Sequence, residues 1–262
     1  TYLDDAKAFI DYVKEVKGLK YQSTSIRSML LRENWFCGDY NASLVPIFVN
    51  GNGGVTPIGL AVDLNNNYPT NYTDTGAFSG KKGDGVSSYI KTGFIPSQTP
   101  EIGSADGHLM IYNMSDTVDA GGMGCKYGAD GFYFFPRLSN GNTKFHITSS
   151  AESNVYLPSA KDYILVQRRN TSALDLYYRD NLITSVQNSY GYKANSDITF
   201  GGISYAGFVQ SFSKLQIGGY SIGKTFTVPF QLVHYNAVQR LMSRLGRVVK
   251  SNNAVDFKSK LS

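Results

Sequence analysis

The chain has 262 residues and a net charge of +5, with only 17% charged residues against 27 glycines, 19 tyrosines and 15 phenylalanines. Such a length buries a full core, and the mixture favours strands and turns over long helices. Its lysines and arginines are scattered apart from one C-terminal cluster, which argues against nucleic acid as a partner. No apolar run approaches the roughly 18 residues that cross a bilayer, and the N-terminus lacks the basic, apolar, small-residue order of a signal peptide, so the expectation is a soluble chain without membrane insertion.

The first segment, residues 1–75, opens with "TYLDDAKAFIDYVKEVKG". Ala6, Phe9, Ile10, Val13 and Val16 fall on one helical stripe, with Asp4 or Asp5 to cap the start and Gly18 to close the end. A second helix is expected over "STSIRSMLLRENWF", capped by Ser23 or Thr24, with Ile26, Leu30 and Trp35 inward. Residues 38–79 read as loops with a short strand or two around "SLVPIFV".

The second segment, 76–226, is a succession of short alternating runs at regular spacing: "SSYIKTGF", "GHLMIYNM", "GFYFFPRL", "TKFHITSS", "DYILVQRR", "SALDLYYRD", "LITSVQNS", "DITFGGIS" and "SKLQIGGYSIG". This pattern predicts a sandwich or barrel. A hairpin is clearest at "ALDLYY-RDN-LITSV", turning on Arg179, Asp180 and Asn181. The third segment, 227–262, carries a helix with Thr227 as cap, Pro229 in the first turn and Gly246 at the end. Phe230, Val233, Ala237, Val238, Leu241 and Leu245 form its buried stripe. Arg240, Arg244 and Arg247 near its end read first as helix-dipole partners and second as a polyanion site, and the polar tail follows.

Little in the sequence is arranged for bond breaking. The turn Gly83-Asp84-Gly85 leads into a strand, which excludes a phosphate loop. Asp63 and Asp74 share no Asp-x-Asp spacing with Asp84, so a structural turn is favoured over calcium. Glycoside hydrolysis needs two facing carboxylates, whereas Glu101, Glu152, Asp106, Asp119 and Asp130 lie singly in loops. His108 and His146 on strands and His234 on a helix flank stand beside no nucleophile motif and read as structural. Cys37 and Cys125 have no metal spacing and read as free, buried thiols, their pairing left open. Tyr68, Tyr72, Tyr190, Tyr192 and Tyr205, in turns, are candidates to stack on sugar rings or on a partner protein. Asn-x-Ser/Thr matches at Asn41, Asn71, Asn113 and Asn170 are expected by chance in so Asn-, Ser- and Thr-rich a chain.

The order "GDGVSSYIKTGFIPS", "GHLMIYNM", "DYILVQRRNTSALDLYYRDNLITSV" and "SIGKTFTVPFQLVHYNAVQRLMSRLGR" resembles the laminin-G-like, concanavalin A-like sandwich domain of bacteriophage tail, fibre and other virion proteins. The N-terminal helix resembles the segment that often precedes that domain. The resemblance covers most of the chain. It implies a mainly β fold, a jelly-roll antiparallel β-sandwich with N-terminal helices and a C-terminal helix, and functions from glycan binding to packing inside a virion. It also implies homo-oligomers, other virion proteins as partners, and a host cell-surface glycan as ligand. The chain departs from sugar-binding relatives in lacking an evident calcium cluster. The reading is a non-enzymatic phage virion protein with no cofactor, metal or catalytic residue. The alternative is a secreted or surface carbohydrate-binding module, and a polysaccharide-degrading enzyme comes behind both.

Overall fold

The structure is a computed structural model that describes residues 2–21, 24–36, 42–49, 59, 62–66, 80–103, 105–116, 118, 121–149 and 151–247. In chain order its elements are α1 (Tyr2–Gly18), β1 (Lys20–Tyr21), β2 (Thr24–Ser25), β3 (Leu30–Trp35), β4 (Leu64–Asn66), β5 (Lys81–Lys82), β6 (Tyr89–Lys91), β7 (Gly107–Asn113), β8 (Met123–Tyr127), β9 (Asp130–Phe135), β10 (Asn142–Ile147), β11 (Ser153–Tyr156), β12 (Asp162–Asn170), β13 (Ala173–Tyr178), β14 (Asn181–Gln187), β15 (Thr199–Phe200), β16 (Ile203–Tyr205), β17 (Phe208–Gln210), β18 (Gln216–Gly223) and α2 (Val228–Arg244).

The fold is mainly β and built on two large sheets. One runs β14-β13-β12-β7-β18-β3, with β5 also on β18. The other runs β11-β10-β9-β8-β15-β6-β4, and β16 adds to β8 in parallel and carries β17. Every other pairing in the two sheets is antiparallel. Between the sheets lies a core that includes Leu109, Ile111, Phe132, Phe134, Phe145, Ile164, Val166 and Ile222. Each strand predicted in 76–226 is present, and β3 and β4 from the stretch 1–75 join the sheets.

The first sheet is apolar on both faces, and that sets the third layer. In β7, Leu109 and Ile111 enter the inter-sheet core, whereas Met110 and Tyr112 point the other way. In β12, Ile164 and Val166 do the first and Tyr163 and Leu165 the second. Alternation thus gives two apolar faces, and a sheet of that kind needs cover on both sides. Both helices supply it: Ala8, Tyr12 and Val16 of α1 and Phe230, Ala237, Val238, Leu241 and Met242 of α2 pack on Met110, Tyr112, Tyr163 and Leu165. Each large apolar side chain so buried contributes about 1.5–3 kcal/mol.

Several expectations are corrected. Residues 24–36 form no second helix; a short 3-10 turn, Ile26–Met29, leads into β3. All six β3 residues are buried because the strand has a sheet on one side and helices on the other, so its pattern lacks the alternation of a half-exposed strand and imitates a helical stripe. Ser25, rather than Thr24, caps the 3-10 turn by accepting from the Arg27 amide, and Ser23 lies outside the described residues. In α1 Val16 is buried and Phe9 and Val13 pack half-buried on the same cluster, as expected, but the fully buried line is Ala8-Tyr12-Val16, Ile10 is 54% exposed and Ala6 is exposed. That helix begins at Tyr2, so Asp4 and Asp5 lie inside its first turn and not at the cap. Thr227 holds the N-cap position of α2 without a side-chain hydrogen bond. Gly246 adopts φ +65° just past the helix end, as the sequence reading expects. The predicted hairpin is present with a tighter turn, Arg179 and Asp180, because Asn181 already belongs to β14.

A polar cluster with no exposure to water fastens the helices to the sheet. Glu33 of β3 accepts from Tyr12 Oη at 2.6 Å and Trp35 Nε1 at 2.9 Å, and its second oxygen lies 3.0 Å from His234 Nε2. His234 Nδ1 is 3.0 Å from the Tyr163 hydroxyl. A proton on Nε2 satisfies the carboxylate and leaves Nδ1 to accept from Tyr163. Burial first, and the Glu33 charge second, push both the Tyr12 and Tyr163 hydroxyls well above the ordinary tyrosine range, so both remain donors. His234 is therefore in the core and not on a helix flank.

The arginines of α2 have defined partners. Arg240 pairs with Glu15 and Arg244 with Asp11, an antiparallel clasp between the helices. Arg247 is buried and donates to the carbonyls of Phe36 and Gly218. Inside the sandwich, Arg32 meets Asp63 at 2.5 Å, and Asn34 and Tyr220 complete that carboxylate's hydrogen bonds. Burial pushes Asp63 upward, and Arg32 opposes the shift.

Leaving a buried donor without its acceptor costs about 1–3 kcal/mol, and Glu33 accepts from Tyr12, Trp35 and His234, whereas an exposed ion pair contributes at most about 1 kcal/mol. Glu33→Ala is therefore expected to lower stability by more than about 2 kcal/mol and Arg240→Ala by less than about 1 kcal/mol, measured by urea unfolding of the two variants beside the parent.

Candidate functional site

The turn Gly83-Asp84-Gly85 is internally satisfied. Asp84 Oδ1 accepts from the amides of Val86, Ser87 and Ser88, and Oδ2 from the Ser87 hydroxyl. Desolvation opposes ionisation, yet these hydrogen bonds outweigh it and hold the carboxyl well below the usual range. Asp63 is held by Arg32 inside the sandwich, and Asp74 lies outside the described residues. Among the described residues no three His, Cys, Asp or Glu side chains cluster as a metal site.

His108 and His234 pack on the same Phe226 ring, whereas His146 lies on the other sheet. His108 Nε2 sits 2.9 Å from Ser221 Oγ, a serine–histidine contact that no sequence motif signals. Its Nδ1 faces the Lys224 carbonyl at 2.5 Å, its ring stacks on Phe226, and Ser221 is 0% exposed. Burial pushes His108 down to about 3, so it serves as a packed hydrogen-bonding residue. His146 bonds the Ser149 carbonyl, and burial also lowers it.

The carboxylates are engaged separately, and Asp130 opens β9 and does not lie in a loop. Asp106 accepts from the Thr225 amide, Asp130 from the Tyr192 amide, and Glu152 is paired with lysines; Glu101 is exposed and Asp119 lies outside the described residues. Cys125 is a free, buried thiol, as expected; Cys37 lies outside the described residues. Asn113 is buried and donates to the Ala160 carbonyl, which removes it as a glycosylation position. Asn41, Asn71, Tyr68 and Tyr72 lie outside the described residues.

The remaining tyrosine candidates come together at one end of the second sheet. Lys126 and Tyr205 are register partners in the parallel pair β8–β16, and Tyr205 faces Phe208 across the next turn. Tyr127 pairs with Asp130, whose carboxylate accepts from the Tyr192 amide at 3.3 Å. The loop 190–192 is anchored by Gly191 to the Thr148 carbonyl and by Tyr190 to the Thr171 carbonyl. Thus the exposed side chains Tyr127, Tyr190, Tyr192, Tyr205 and Phe208 sit on strand ends and turns whose backbones adjoin at this end of the sheet, an aromatic rim with Asp130 among them. Tyr192 is 81% and Phe208 80% exposed, a position that burial of apolar area disfavours unless something covers it. Tyr127 and Phe208 escape the sequence reading; the signal was the repeated aromatic-turn pattern, "KYGAD" beside "SYAGF".

Beside the rim, on the face of the second sheet turned away from the core, sits a charged cluster. Gly124, Tyr133 and His146 are register partners across three strands, as are Lys126 with Gly131 and Phe135 with Lys144. A Cβ on Gly131 would stand 2.5 Å from both the Tyr133 and His146 rings, and one on Gly124 would meet the Tyr133 side chain at 2.7 Å. Glycine at 131 leaves room for the Tyr133 and His146 rings, and glycine at 124 is required by the backbone, which has φ +115° and would hold a Cβ 2.1 Å from the Phe132 carbonyl oxygen. The Tyr133 hydroxyl donates to Glu152, whose other oxygen is 2.6 Å from Lys144 Nζ; Lys126 Nζ is 3.8 Å away. Burial first and then this bond raise the tyrosine well above its ordinary range. Desolvation works against the Glu152 charge, but Lys144 and then Tyr133 outweigh it and depress the carboxyl.

No protein-family model matches the chain, and no curated protein matches it in sequence. Among solved structures it is similar in fold to Trypanosoma rangeli sialidase. A mutant of that enzyme displaying trans-sialidase activity superposes with a TM-score of 0.51 at 9% identity, over 90% of this chain and 38% of the sialidase. The same sialidase in complex with the inhibitor DANA gives 0.51 at 9% identity, over 88% and 37%. Domain 4 of an extracellular arabinanase of Geobacillus stearothermophilus, in complex with arabinotriose, gives 0.45 at 15% identity, over 80% and 99%. The chain spans well under half of the sialidase's length, and the likeness at this identity establishes the β-sandwich and nothing finer.

Because Glu152 is depressed in the folded state, its contribution to stability is present above the unfolded glutamate value of about 4.3 and is lost as pH falls through the lower folded value. Glu152→Gln is expected to lower the melting temperature at pH 7, with the difference from the parent shrinking steadily toward pH 3. A difference that stays constant across that range would show that the carboxylate charge is not what the lysines hold.

Proposed function

We propose that this protein is a non-enzymatic carbohydrate-binding sandwich whose ligand contacts the aromatic rim at the end of the second sheet. The grouping of exposed Tyr127, Tyr190, Tyr192, Tyr205 and Phe208 on adjoining strand ends and turns, with Asp130 among them, carries the reading. Flat aromatic faces stack on the C–H faces of sugar rings, tyrosine hydroxyls remain free to bond ring hydroxyls, and a carboxylate among them accepts from two vicinal hydroxyls. Support for the absence of catalysis comes from the carboxylates described above, which are each engaged separately, and from the enclosure of the Ser221–His108 pair.

Such a module acts outside the cell, either as a secreted or surface component or as part of a particle that meets a host glycan. Assembly into a phage virion, with copies of itself and other virion proteins, rests on the sequence resemblance, and the rim serves glycan contact equally in both settings.

A glycan microarray probed with the labelled protein is expected to give a saturable ligand. Tyr192→Ala and Phe208→Ala are each expected to weaken that ligand about two- to tenfold, in line with about 0.5–1.5 kcal/mol per aromatic contact, with no change in melting temperature beyond about 2 °C. Calorimetric titration of the three proteins measures it. Unchanged affinity in both variants would remove the rim from the ligand site.

A further inference from the structure

We propose that Tyr133, Lys126 and Lys144 form an anion subsite for the carboxylate of a sugar acid, and that Glu152 is the internal carboxylate that fills it in the unliganded protein. Three donors from three adjacent strands converge on one carboxyl group. The donors belong to the rigid sheet, whereas Glu152 lies outside any strand, just before β11. Tyr133 is only 1% exposed, clamped above Gly124 and Gly131, so its hydroxyl has a fixed direction and a standing need for an acceptor. Side-chain exposures of 34% for Lys126, 28% for Lys144 and 33% for Glu152 leave the cluster within reach of a ligand.

Charge and position favour an acid over a neutral sugar. Within the cluster two ammonium groups face one carboxylate, leaving one net positive charge there; the Asp130 carboxylate belongs to the neighbouring rim, and Arg168 is taken up by the carbonyls of Ile147, Asn170 and Asn188. Lys126 belongs to both surfaces: it is the register partner of Tyr205 in the rim and hangs over the Tyr133 ring in the cluster. A sugar stacked on the rim would therefore extend an acidic substituent toward Lys126. The sugar half of this inference rests on the carbohydrate-binding reading; the anion half stands on the donor geometry alone.

The test titrates glucuronate, glucose and acetate into the parent, Glu152→Ala and Glu152→Ala/Lys144→Ala, with binding followed by amide chemical shifts. Removing the internal carboxylate is expected to tighten glucuronate at least about tenfold over the parent, to tighten acetate less, and to leave glucose unchanged, with the gain lost in the double variant. Glu152→Gln, which keeps the side-chain shape, is expected to show the same order and serves if the alanine variant does not fold. No gain for either carboxylate, or an equal gain for glucose, would overturn the subsite. Equal gains for acetate and glucuronate would overturn the sugar-acid assignment, and would leave neutral glycan binding at the rim, read in the parent, unaffected.

Discussion

Glu33 is a carboxylate shut away from water between a sheet and two helices, and the architecture depends on how it is satisfied. A buried carboxylate without partners would cost several kcal/mol. Here Tyr12 comes from α1, Trp35 from β3 itself and His234 from α2, so the charge is tolerated only while both helices are seated. The contact thus makes docking of the helices conditional on register: slide either helix by one turn and a donor is lost. Apolar burial supplies the larger stabilisation, but it is tolerant of small shifts, whereas the hydrogen bonds to Glu33 are not.

That constraint divides the molecule by role. The central strands of the first sheet are covered on both faces, by the helices and by the partner sheet. Between the helices, the groove lined by Ala8, Asp11, Glu15, Ala237, Arg240 and Arg244 has its charges paired across it. The second sheet has a face turned away from the inter-sheet core, and it is there that the Lys126–Glu152–Lys144 cluster sits, beside the exposed aromatics of the rim. A closed half beside a half with a free face fits the general pattern in which sites are grafted onto a stable scaffold, and the proposed recognition surface lies on that free face.

Much of this fold was legible in the residues. Period-two runs bounded by Gly, Asn and Asp marked the strands from Tyr89 to Gly223, and the stripe Phe230, Ala237, Val238 and Leu241 marked α2. The failure at residues 24–36 has a physical cause, since a strand buried on both faces carries Leu30, Arg32, Glu33 and Trp35 with no alternation to read. His234 was placed on a helix flank because α2 buries more than one stripe, a fact that depends on α1 and β3 arriving on its other side. The rim was half legible. Tyr190, Tyr192 and Tyr205 stand in turns and could be named, but Tyr127 and Phe208 are brought to them by the parallel pairing of β8 with β16, a contact across nearly eighty residues that no local pattern encodes. Glu152 read as a solitary loop acid for the same reason, since its partners lie on β8, β9 and β10.

The central claim is that recognition belongs to the free end of the second sheet and not to the helical side. Backbone amide shifts recorded while a bound oligosaccharide is added to the intact protein test it most directly. The account predicts that the largest changes fall on residues 126–131, 190–192 and 204–208, with α1 and α2 still. Changes concentrated on 8–15 and 237–244 instead, along the groove between the helices, would contradict it.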